Sequence, residues 1–147
     1  MTSKTRIRIL DRPVEVLLIE DNPGDVRLFL EKVKEMDAPS NIHVVNNGID
    51  ALKFLKREKE YNKAPKLDLL VLDMHLPLKS GFDVLTEMGN DKELSELPIV
   101  IFSSAPIDRG SIKNINNFIV LSKPDNLEGF DDVINKVEEF LLKIMKS

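Results

Sequence analysis

LDLLVLDMHLP, residues 67–77, opens with an apolar run too short for a helix and lacking the alternation of a half-exposed strand. Following Pro65, LDLLVLD fits a strand buried on both faces, the kind found in parallel sheets, and it closes on an acid, Asp73. Working outward, the same kind of run recurs upstream as VEVLLI (14–19) and downstream as PIVIFS (98–103). NIHVVN (41–46) and NFIVLS (117–122) complete five expected strands.

Stretches of helical period lie between the strands, as expected for βα units wound around a parallel sheet. PGDVRLFLEKVKEM places Val26, Phe29, Leu30, Val33 and Met36 on one stripe. GIDALKFLKREK carries Ile49, Leu52, Phe54 and Leu55, and a third helix starts at a Ser80 cap and runs through Phe82, Val84, Leu85 and Met88. The last helix is expected from about Asn126, with Phe130, Val133, Ile134, Val137, Phe140 and Leu141 inward. In APIDRGSIKNIN, Gly110 and the asparagines are poor helix formers, so a short or irregular fourth helix is expected. The expected fold class is α/β, and a flavodoxin-like doubly wound five-stranded parallel sheet of order 2-1-3-4-5 would accommodate the segments.

The 147 residues suffice for one domain with its own core, expected over 14–147 behind a tail at 1–13, with no room for a second. The tail carries Lys4, Arg6, Arg8 and Arg12 against Asp11. It is expected to be solvated, although the alternation in TRIRIL would also suit an edge strand. The absence of Cys excludes disulfides, thiolate metal sites and Cys nucleophiles. No apolar run is long enough to cross a bilayer and no signal peptide is visible, which points to a cytoplasmic protein without membrane partners. A net charge of −4 with scattered cations argues against nucleic-acid binding.

Glu20 and Asp21 follow the first strand directly, and Asp73 ends the third. Ligands of open parallel sheets bind at the carboxyl ends of the strands, where the winding reverses. Each acid alone reads as a loop or cap residue, but neighbouring first and third strands would bring all three into one cleft. Their repulsion then calls for a cation or a bound proton. Mg2+ suits hard oxygen ligands, whereas zinc prefers His or Cys and only His75 lies near. Ser103 and Ser104 after the fourth strand and Lys123 after the fifth reach the same edge, with Pro124 stiffening the turn behind the lysine. A carboxylate nucleophile, a metal, a hydroxyl and an ammonium around one point are the equipment for receiving a phosphoryl group.

LLIEDNPGD, DLLVLDMHLP, IVIFSSA and VLSKP, in that order on successive strands, make the chain resemble the receiver domains of two-component response regulators from Val14 to Leu142. EDNPGDVRL, NNGIDALKFL and DKELSELPIV are similar to the single-domain subgroup that includes phytochrome-partner regulators. The resemblance implies Asp73 as phosphoacceptor, Asp21 as a direct Mg2+ ligand, Glu20 as a ligand through water, and a backbone carbonyl from His75. It implies that Ser103 binds a phosphoryl oxygen on moving inward and that Lys123 pairs with another. A histidine kinase or phosphotransfer protein would be the donor, and a stand-alone regulator would answer by contact with an output protein not identified by the sequence, leaving a homodimer open. Such a chain is a phosphoacceptor that assists its own phosphorylation and dephosphorylation rather than an enzyme.

Two departures stand out. Ser103 and Lys123 are closer in sequence than the family's usual spacing, and the position of the family's aromatic switch residue holds Val120, with Phe118 expected out of phase. A phosphatase of the haloacid-dehalogenase type would need a second Asp where His75 stands, and a flavin site would need a phosphate cradle where acidic EDNPGD lies. A phosphate sink or an unphosphorylated scaffold of the same fold is the remaining alternative.

Overall fold

Branched and long aliphatic residues crowd five short segments, and these form β1 (Val14–Ile19), β2 (Ser40–Val45), β3 (Leu69–Asp73), β4 (Ile99–Ser103) and β5 (Phe118–Ser122). In the computed structural model, which describes residues 12–124 and 126–145, they pair in the order β2-β1-β3-β4-β5. Every pairing is parallel, with Leu18 beside Val71, Val71 beside Val100 and Val100 beside Ile119. β3 and β4 are buried at every position, as strands covered on both faces must be.

The two-residue period of each strand sorts its side chains into two cores. Val16, Leu18, Val71, Val100 and Phe102 pack with Phe29, Val33, Phe130, Val137 and Leu141 from α1 (Pro23–Val33) and α4 (Leu127–Met145). Leu17, Ile19, Leu70, Leu72 and Ile101 pack with Leu52, Leu55, Val84 and Met88 from α2 (Gly48–Leu55) and α3 (Gly81–Gly89). This is the expected flavodoxin-like doubly wound sheet. Side-chain caps start the first three helices: Asn22, Asn47 and Ser80 accept from the backbone N–H groups of Asp25, Asp50 and Asp83. No helix among the described residues is long and apolar enough to cross a membrane.

Several expectations are corrected. α2 stops at Leu55, short of the GIDALKFLKREK stretch, because Arg57 and Lys59 adopt φ of 56° and 52°, a left-handed backbone that a right-handed helix does not admit. Ile49 and Phe82 are 37% and 46% exposed rather than inward. Each follows the glycine that begins its helix's buried face, and one residue further on lies about 100° round the helix. Gly48 is required there, since a β-carbon would overlap the Lys79 carbonyl. Phe118 and Val120 pack against the same core, as residues two apart on a strand should, so they share one phase.

The doubtful segment before β5 forms a single 3-10 turn, Arg109–Ser111, and no α-helix. Asp108 caps the turn at Gly110, while Ile112 and Ile115 plug the side of the second core. The expected short or irregular helix is therefore reduced to one turn, and the sheet has four α-helices around it among the described residues. The TRIRIL tail, with Lys4, Arg6 and Arg8, lies outside the described residues. Arg12 is described, and its guanidinium grips Asp68 through two bonds of 2.7 and 2.9 Å.

Candidate functional site

Neighbouring strands β1 and β3 end side by side, so the acids that follow or finish them converge. Glu20 and Asp73 are 4% and 2% exposed, and Asp21 faces solvent. One ligand oxygen from each of the three lies within 4.8 Å of the others. Asp73 Oδ1 accepts the His75 backbone N–H at 3.0 Å, and Glu20 accepts that of Asn22 at 3.2 Å.

Lys123 arrives from the far side of the sheet. Its backbone N–H donates to the Ser103 carbonyl at 3.0 Å, extending the β4–β5 ladder by one residue and aiming the side chain back across the strand ends. The ammonium reaches Glu20 Oε1 at 2.9 Å and Asp73 Oδ2 at 3.1 Å. It also reaches Asp25 Oδ2 at 3.0 Å, a contact that the sequence reading missed. The signal was present in EDNPGD: Pro23 starts α1 at once, so an acid in its first turn stays beside the acids before it.

Ser103 is buried at the end of β4, but its hydroxyl is turned to its own loop, donating to the Ala105 carbonyl at 2.6 Å and accepting from the Ala105 N–H at 3.2 Å. The His75 side chain is exposed, and its backbone N–H is the group that meets Asp73. Four expected residues, Glu20, Asp21, Asp73 and Lys123, are thus brought together, while Ser103 borders the cleft engaged elsewhere.

The cleft holds more negative charge than Lys123 can balance. Burial, and then the adjacent Asp73 carboxylate, push Glu20 up to about 7 despite the lysine. Burial alone would lower the Lys123 ammonium, but hydrogen bonds to Glu20 and Asp25 outweigh it and hold the group above its ordinary value. An all-oxygen donor set with surplus negative charge fits a hard divalent cation.

These features sit inside a wider match. A profile for the response regulator receiver domain aligns with residues 16–135, which contain every residue of the cleft. The chain belongs to the response regulator receiver family. Among its relatives, response regulator Rcp1 of Synechocystis sp. (strain ATCC 27184 / PCC 6803 / Kazusa) is 29% identical over 89% of this receiver and 90% of that protein. The phosphorylated cyanobacterial phytochrome response regulator RcpA superposes with a TM-score of 0.81 at 30% identity, covering 90% of this receiver and 96% of that chain. The Mn2+-bound form of Rcp1 superposes with a TM-score of 0.79 at 28% identity, over 89% and 96% of the two chains. This receiver is therefore similar to two-component signalling proteins of the phytochrome-response type.

Proposed function

We propose that this receiver accepts a phosphoryl group on Asp73 from a phosphohistidine of a histidine kinase or phosphotransfer protein, acting as a cytoplasmic phosphoacceptor. The supporting observation is the buried Asp73 carboxylate, held between the His75 N–H and the Lys123 ammonium beside Glu20 and Asp21. In the transfer an Asp73 carboxylate oxygen forms a P–O bond as the donor's P–N bond breaks, and the bonding pair leaves with the donor imidazole.

Glu20, Asp21, Asp73 and the His75 backbone carbonyl would hold Mg2+, in keeping with the Mn2+-bound form of the relative Rcp1. Such a cation supplies neutralisation of charge on the phosphoryl oxygens. Lys123 pairs with one phosphoryl oxygen from where it already touches Asp73. Ser103 exchanges its bond to the Ala105 carbonyl for another phosphoryl oxygen, which draws the β4 loop inward. That exchange links phosphorylation to the surface beside the single-turn segment Arg109–Ser111, where an output protein would read it.

Incubation with acetyl phosphate and Mg2+ should add about 80 Da to the wild type, the mass of one phosphoryl group. Asp73→Asn should add none. Equal labelling of both proteins would remove Asp73 as the acceptor.

A further inference from the structure

Three carboxylates surround the Lys123 ammonium at nearly equal range, 2.9 Å to Glu20, 3.0 Å to Asp25 and 3.1 Å to Asp73. An ammonium has three donors, so each carboxylate can take one. Glu20 and Asp73 also belong to the acidic triad that fits a divalent cation, whereas Asp25 does not. The lysine and the cation therefore draw on the same two buried side chains. Without a third seat for the ammonium, each would tend to exclude the other, because both are positive and close.

We propose that Asp25 is a positioning residue that supplies this seat, holding Lys123 on the α1 side so that metal and lysine occupy the cleft together. The inference rests on the metal and phosphoacceptor reading above. Asp25 is built to hold its place. It lies in the first turn of α1, and its backbone N–H donates to the Asn22 side chain at 3.1 Å. Asn22 in turn gives its own N–H to Glu20 at 3.2 Å. One short turn thus fixes Glu20 and Asp25 on either side of the lysine. Asp25 is also the least buried of its three partners, with 27% side-chain exposure against 4% and 2%. The ammonium drawn towards it moves away from the buried metal ligands.

An acid at this position could act instead through its own negative charge or through the helix terminus alone. A double-mutant cycle read by Mg2+ affinity separates these roles. MgCl2 alone, without phosphodonor, is titrated calorimetrically into the full chain as wild type, Asp25→Asn, Lys123→Met, the double variant and Asp25→Glu. Circular dichroism confirms that each is folded. Asp25→Asn should weaken Mg2+ binding by about fivefold, the upper range of a partly exposed ion pair. In the Lys123→Met background the same change should cost less than about twofold, since the competing ammonium is gone. Asp25→Glu should restore binding.

Equal weakening in both backgrounds, or none in either, overturns the role of Asp25 and leaves the metal site standing. Failure of the wild type to bind Mg2+ at all overturns the functional reading itself.

Discussion

Glu15 lies near the start of β1 and Glu20 just past its end, and the same side chain meets opposite surroundings at the two ends. Glu15 accepts from Asn41 at 2.9 Å and lies 2.7 Å from His43 Nε2. Burial raises its proton affinity, but the bonds to Asn41 and His43 win and hold the carboxyl below its usual range. Nearby, Asp68 accepts both the Glu15 N–H at 2.8 Å and the Arg12 guanidinium. At the other end, burial wins, and the adjacent carboxylate of Asp73 adds to it. At the amino edge each acid is therefore met by donors, a structural arrangement. The carboxyl edge carries a surplus that a bound proton or a further cation relieves, the kind of perturbation found at functional sites.

Saturation with Mg2+ tests that difference most strongly. At a hundredfold excess over Kd it should stabilise the wild type by about 2.7 kcal/mol in urea unfolding. The double variant Glu20→Gln/Asp21→Asn should gain almost nothing, and equal gains would erase the distinction between the edges. Next in size, Asp73→Asn should stabilise the metal-free chain by about 2 kcal/mol, because it removes one of three crowded like charges and keeps an oxygen for Lys123. A loss of stability would show that the edge is balanced after all.

Asp68→Ala, at the matched edge, should instead cost about 1–2 kcal/mol, as it leaves the Glu15 N–H and Arg12 without their acceptor. Mg2+ should stabilise this variant and the wild type equally and leave the difference between them unchanged. The last tests read pH dependence, and the signs at the two ends differ. Glu15 has a lowered pKa, so its contribution is complete above the ordinary 4.5 and disappears as pH falls through the folded value. Glu20 has a raised one, so the folded chain holds the proton more tightly and metal-free stability falls as pH rises from about 4.5 towards about 7. Thermal melts of Glu15→Gln and Glu20→Gln across these ranges should flatten the two slopes separately. A common slope in both variants would remove the contrast.

The five strands, their burial on both faces and the acids at their carboxyl ends were legible because each depends on local pattern, whereas the order of the strands rested on likeness to known doubly wound sheets. A largely apolar run such as VEVLLI suits a strand covered on both faces, and an acid placed just after it emerges at the strand end. Helix limits were less legible. The lysines and arginine after Leu55 suit a helix well, and only the backbone turn at Arg57 and Lys59 ends α2 early. Ile49 and Phe82 look like stripe members, yet the direction of the buried face is set by where Gly48 and Gly81 touch the β3–α3 connection.

For the site, the sequence by itself determined which groups stand at the carboxyl edge, because strand ends fix the positions of Glu20, Asp21, Asp73, Ser103 and Lys123. It also signalled the weak segment before β5 through Gly110 and its asparagines, although not that a single turn would replace the helix. Only the tertiary structure decided how those groups are partnered: Ser103 bound to Ala105, and Lys123 shared among Glu20, Asp25 and Asp73. The reason is geometric. Strand period and capping act over a few residues, whereas the position of one ammonium depends on three elements that meet across more than a hundred residues of chain, from Glu20 to Lys123.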